Sequence, residues 1–216
     1  MDASGESKPA PAVVKLKPID ASPSTFKDYG QVIEPSPDGK EFGPEDAQLD
    51  LCRGTPRFYV MHLHDRPLQF SVITHHASVT QCLGSVGGYT WYLGVAKPSL
   101  ADANEINDGK GKQIVQSPIG HSYVPPTIED VQVFRIAGSK FLKFNRGTWH
   151  AGPLFKSDTM DFYNLELSNT NVSFFTFPSS YSPEIVNFKS FIFFEVIDHT
   201  PHDFVEKNGI VFSIDE

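Results

Sequence analysis

The sequence predicts an all-β fold, a β-barrel or jelly-roll sandwich with a few short helices, and three observations point to it. Apolar and polar residues alternate over residues 57–64, 68–75, 90–96, 131–136 and 160–167, the period of half-buried strands. Glycine and proline bound these short segments, as turns between strands require. Eighteen phenylalanines, many of them late in the chain (Phe174-Phe175, Phe177, Phe188, Phe191, Phe193-Phe194), suit a sandwich filled by aromatic rings.

The elements follow in order. Residues 1–12 are polar and rich in Ser, Ala and Pro, a disordered N-terminal arm by composition, and Val13-Val14-Lys15-Leu16 is the first strand. Residues 21–30 carry capping residues, a short helical turn and Gly30 to end it; Gln31-Val32-Ile33-Glu34 follows as a strand. Prolines, glycines and acids dominate residues 35–56. What precedes them is too short to fold alone, so this is a surface excursion within one domain spanning 13–216. Residues 97–127, with a polar run at 104–112 and then Val124-Pro125-Pro126, read as a loop insertion beside the site. No internal repeat is present.

Composition narrows the function. Twenty-six acids against 18 bases give a formal charge of −8, a field that repels nucleic acid and anionic membranes. A small anionic substrate then needs a local cation, which draws attention to Arg146. Cys52 and Cys82 lie thirty residues apart without CxxC spacing, which suits reduced thiols better than a zinc ribbon or a disulfide framework. The polar start holds no stretch of signal-peptide length, and the apolar run at Phe191-Ile192-Phe193-Phe194 stops at Glu195. A cytoplasmic protein with no membrane or nucleic-acid partner is expected. The Asn171-Val172-Ser173 acceptor pattern carries no meaning in that compartment.

The candidate site lies in two separated fragments, Thr74-His75-His76 with Gln81 and Gly88, and Asn145-Arg146-Gly147-Thr148-Trp149-His150. Cupin barrels hold metals through two histidines spaced by one residue, a glutamate five positions on, a glycine seven beyond it, and a later histidine after a Gly-x-x turn. Thr74, His76, Gln81 and Gly88 occupy that spacing and Gly147-x-x-His150 supplies the last histidine. Only part of the ligand set survives. A divalent ion (Ni, Zn, Mn or Fe) on His76, Gln81 and His150 is one reading, and a metal-free site with the same residues is the other. His62 and His64 share one strand face as a His-x-His clip would, but lack a nearby acid and read as an exposed face. His121, His199 and His202 stand in loop-like, Pro-flanked sequence and are expected in solvent. Trp149 reads equally as a substrate wall or as core.

Four ordered fragments carry a resemblance. Phe26-x-x-Tyr29-Gly30-x-Val32-Ile33-Glu34, His76-x-x-x-Thr80-Gln81, Asn145-Arg146-Gly147-x-Trp149-His150 with Pro153-Leu154, and Asp161-Phe162 together resemble the ureidoglycolate lyase family, long called ureidoglycolate hydrolase. The resemblance spans residues 13–168. It implies a cupin-like β-barrel, a homodimer, and cleavage of ureidoglycolate to glyoxylate and urea in purine and allantoin breakdown, with nickel associated with some members. Two features depart from the family: Ala151 stands where a second histidine commonly follows Trp-His, and Glu166-Leu167 lacks the cation of an acid-Arg pair.

Ureidoglycolate carries a hydroxyl, a carboxylate and a ureido nitrogen on one carbon, so its cleavage needs a base for the hydroxyl and an acid for the departing urea. His76 and His150 are the candidates for these roles, with Glu166 orienting one of them. Arg146 would clamp the carboxylate in bidentate fashion, and Gln81 would recognise the ureido group. Two other readings stay open. One is a different cupin reaction, such as a metal-assisted isomerisation, dioxygenation or hydrolysis; the other is a barrel that binds a ligand without turnover. The Phe-rich stretch 174–194 is a candidate dimer surface and equally a candidate core.

Overall fold

The computed structural model describes residues 9–101, 113–170 and 198–216. In chain order the strands are β1 (Ala12–Leu16), β2 (Ile19–Asp20), β3 (Gly30–Ile33), β4 (Pro56–His64), β5 (Gln69–Phe70), β6 (Val72–His75), β7 (Cys82–Ser85), β8 (Trp91–Ala96) and β9 (Leu100–Ala101). They continue with β10 (Val115–Gln116), β11 (Ser122–Tyr123), β12 (Gln132–Ile136), β13 (Phe141–Phe144), β14 (Trp149–His150), β15 (Thr159–Leu167), β16 (Thr200–Asp203) and β17 (Ile210–Ile214). The helical parts among the described residues are a 3-10 turn at Ile128–Asp130 and one short helix, α1 (Phe204–Asn208). None is long and apolar enough to cross a membrane.

Two large sheets form a sandwich. One has the strand order β16-β6-β14-β8-β12-β2 and the other β3-β13-β7-β15-β4. Between them Trp91, Leu93, Val95 and Phe134 of the six-stranded sheet meet Leu83, Leu142, Phe144 and Phe162 of the five-stranded one. The outer face of the six-stranded sheet carries a second core, Phe70, Ile73, Tyr92, Trp149, Phe204 and Phe212, beneath a small sheet of order β1-β17-β5. β8 is therefore buried on both faces, and its sequence contains no charged residue. Gly94 lies within it because the Phe70 ring would stand 2.1 Å from any Cβ there. Parallel pairing of β1 with β17, from Ala12↔Ile210 to Leu16↔Ile214, joins the first strand to the last.

Some expectations need correction. Residues 21–30 go no further than the expected helical turn: Phe26 N–H donates to Ser22 O at 3.0 Å and Gly30 N–H to Phe26 O at 3.1 Å, and no ladder propagates. Packing decides this, because Phe26 and Tyr29 are drawn into the core beside Phe134, at ring separations of 5.0 and 5.3 Å. Segment 68–75 breaks into β5 and β6, which pair with different sheets. The described part of the 97–127 insertion is a three-stranded sheet, order β10-β11-β9, rather than an irregular loop. Helix α1 was not anticipated; Asp203 caps it by accepting from Val205 N–H and Glu206 N–H. Cys52 is exposed, Cys82 is buried, and both are free thiols. The Phe-rich stretch 174–194 lies outside the described residues.

Candidate functional site

β14 lies between β6 and β8, with His150 opposite Thr74 on one side and Val95 on the other. That register puts His150 on the face that looks into the sandwich. The turn before β14 needs Gly147, whose φ is +77° and whose N–H donates to His76 O at 2.7 Å. His76 follows β6 directly and Gln81 precedes β7, so three strand ends bring His76, Gln81 and His150 to one lumen, lined also by Val79, Phe144, Asn145 and Thr148. The empty space there is about 150 Å³, divided so finely that no water-sized sphere fits.

The imidazoles of His76 and His150 have ring centres 5.2 Å apart. His76 Nδ1 meets Asp198 O, and His150 Nδ1 lies 3.1 Å from Thr148 O. A carbonyl only accepts, so each Nδ1 carries the proton and each Nε2 keeps a lone pair. Phe144 stacks on His150 at 4.7 Å with planes 6° apart, which holds the ring's orientation. Burial pushes His76 down to about 4 and His150 down to about 3, so both are neutral bases at pH 7.

Gln81 is held from behind. Its Nε2 donates to Asn164 Oδ1 at 2.9 Å and to Glu166 Oε2 at 3.3 Å, using both of its protons. Its Oε1 is buried with no hydrogen-bond partner among the described residues. Glu166, fully buried, accepts also from Asn164 Nδ2 at 3.0 Å, Tyr59 OH at 3.4 Å and Arg57 at 3.5 Å. The glutamate expected to orient an imidazole thus holds the amide of Gln81.

Other expected site residues do not line the lumen. Arg146 Nε donates to Ala77 O at 2.7 Å, and its NH1 lies 3.8 Å from Asp50 Oδ2. Trp149 points to the outer core, where its indole N–H donates to Ser99 Oγ at 2.8 Å. His75 shares that outer face: it packs edge-on against Trp149 at 4.0 Å, and its Nε2 is 2.7 Å from His121 Nε2. His121 is therefore no solvent residue, and its Nδ1 is bonded to Ser117 Oγ at 2.9 Å. His202 is half-buried, packed on Phe204 at 4.6 Å, whereas His199 is exposed as expected, its ring centre 5.5 Å from that of His76. His62 and His64 are exposed as expected, but they do not lack acids: Asp161 lies 2.6 Å from His62 Nδ1, across the β4–β15 pairing, and Asp65 3.1 Å from His64 Nδ1.

Asp198 escaped the sequence reading. Its carbonyl takes the His76 proton while its carboxylate accepts from Ala77 N–H at 2.8 Å and Ser78 N–H at 2.7 Å. It clamps the turn that presents His76. No local pattern marks it, because it stands 122 residues away.

Two imidazoles and an amide side chain line the lumen, and among the described residues no three His, Cys, Asp or Glu side chains group to hold a metal ion. No family model matches the chain, and no curated protein matches it.

Proposed function

We propose that this lumen cleaves the C–N bond of ureidoglycolate or a related carbinolamide, releasing glyoxylate and urea, with His76 and His150 as the proton-handling groups. The observation that carries the reading is the convergence on one cavity of His76 and His150, whose Nε2 atoms keep lone pairs, and of Gln81, whose buried Oε1 has no partner among the described residues. Cleavage moves a single proton from the substrate hydroxyl to the departing nitrogen. A neutral imidazole accepts the hydroxyl proton as the C=O bond forms; as the C–N bond breaks, the imidazolium returns that proton to the nitrogen. Gln81 Oε1 accepts from a ureido N–H, the partner that a buried acceptor requires. The substrate carboxylate, entering beside the imidazoles, raises their proton affinity from its depressed level toward neutrality.

A second reading has its own support. The lumen is too tight for a ligand without side-chain movement, and Arg146 turns away from it. Both features favour a cupin-like barrel with a different small-molecule reaction, or one that binds without turnover. Incubation of untagged protein with ureidoglycolate, followed by carbon NMR, decides between them. Glyoxylate and urea released in equal amounts, at a rate unchanged by chelator, is the expected result. Neither product above the spontaneous rate rejects the lyase reading. That reading also carries a cytoplasmic homodimer, whose subunit count sedimentation velocity checks.

A further inference from the structure

At the opposite end of the sandwich a cavity of about 750 Å³ is lined by residues of β8, β12, β15 and the turn after β7. β8 starts beside it at Tyr92 and ends near the imidazoles at Val95, opposite His150. Unlike the lumen, this cavity has room for a ligand; small-molecule sites hold about 300–1,000 Å³. Val86, Tyr89 and Met160 supply apolar lining, Arg135 and Lys156 supply positive charge, and Asp161 and Glu216 supply carboxylates.

A carboxylate already sits there. Glu216 Oε1 accepts from the Tyr92 hydroxyl and Oε2 from the Lys156 ammonium, with Arg135 Nε 4.0 Å from Oε1. Tyr92 and Arg135 are directly opposed on β8 and β12, so the sheet presents phenol and guanidinium together. Asp20 Oδ1 accepts from Arg135 at 2.9 Å and steadies it. Arg135 and Lys156 thus bind two carboxylates, Glu216 and Asp20, while the third carboxylate of the lining, Asp161, is held by His62 at 2.6 Å. If Glu216 withdraws, one positive charge and the hydroxyl of Tyr92, only 2% exposed, lose their acceptor. An anion with a free acceptor oxygen restores both; a neutral molecule restores one at most. Burial, and then Glu216, push the Tyr92 phenol up to about 12, so it remains a donor throughout the physiological range.

The geometry points to a binding site for a small carboxylate with an apolar tail, in which Glu216 is the internal stand-in that the ligand displaces. The incoming carboxylate takes Tyr92, Lys156 and Arg135, and the tail lies along Tyr89, Val86 and Met160. Calorimetric titration of the full chain with 3-phenylpropionate tests this. Glu216→Gln binds the probe about tenfold more tightly than wild type, and adding Arg135→Ala removes the gain. 3-Phenylpropionamide does not bind either form. Arg135→Ala also breaks the Asp20 pair, so Lys156→Ala, at a largely exposed side chain, serves as the second variant and must also remove the gain. Equal affinity in wild type and Glu216→Gln, no binding to either, or amide binding as tight as the acid overturns the proposal.

Discussion

His75 and His76 are neighbours, as are Trp149 and His150, yet within each pair the side chains serve opposite sides of the six-stranded sheet. On the lumen side, His76 and His150 give Nδ1–H to a carbonyl and keep a lone pair on Nε2. On the outer side, Trp149 and His75 are held by packing and by their bonds to Ser99 and His121, with His75 Nδ1 buried and without a partner among the described residues. The same residue types mean chemistry on one face and core on the other. Register alone separates them: a slip of one residue in β14 would exchange Trp149 for His150.

The largest effects should fall on opposite properties. His150→Ala is expected to lower kcat by on the order of 10²–10⁴ while the chain stays folded. Trp149→Ala should cost roughly 3–5 kcal/mol of stability, because it empties a fully buried site in the outer core. Steady-state kinetics and urea denaturation read the two; a folding collapse in His150→Ala beside a purely kinetic defect in Trp149→Ala would break the comparison.

Acid sharpens it. Burial holds His75 and His150 at about 3 and His76 at about 4, below the ordinary imidazole value of about 6.5. The unfolded chain therefore binds more protons than the folded one below about pH 6.5. Stability should be insensitive to these groups above that pH and fall as pH drops toward about 4, by on the order of 3 kcal/mol for His76 alone. The urea midpoint measured against pH checks this. His75→Leu should remove only the outer-face share of the slope, and an unchanged slope would show that His75 contributes none of it.

Asp198→Ala should cost about 3 kcal/mol, through two charged hydrogen bonds to Ala77 N–H and Ser78 N–H. As a positioning residue, Asp198 should lower kcat more than it raises KM when lost, with partial rescue by Asp198→Asn. A stability loss without a kinetic change would make the clamp purely structural. Smallest of all, Arg146→Ala should leave KM unchanged and cost about 1 kcal/mol or less, because its half-exposed guanidinium serves Ala77 O and Asp50. A large rise in KM would return Arg146 to the substrate carboxylate.

Much of this was legible in the residues. Alternation located β4, β12 and β15 to within a residue, and the spacing of His76, Gln81 and His150 marked side chains that do share a lumen. Trp149 reads from its sequence as wall or core, yet the same alternation separates it from the face of His150, since adjacent strand residues point to opposite sides. Asn164, which no motif singled out, shares one face of β15 with Glu166. Arg146 was harder, because a turn residue has no period to orient it. Asp198 and His121 lay beyond reach: their bonds to His76 and His75 span 122 and 46 residues and depend on how distant strands meet.

The account rests on two buried, neutral imidazoles that keep their protons on Nδ1. Nitrogen NMR of the histidine side chains, followed from about pH 7.5 down to the onset of acid unfolding, measures that directly. His76 and His150 should each show an unprotonated Nε2 and a protonated Nδ1 throughout the folded range, with no titration near 6.5. An imidazolium at either position near neutral pH, or a proton on Nε2, would contradict the account.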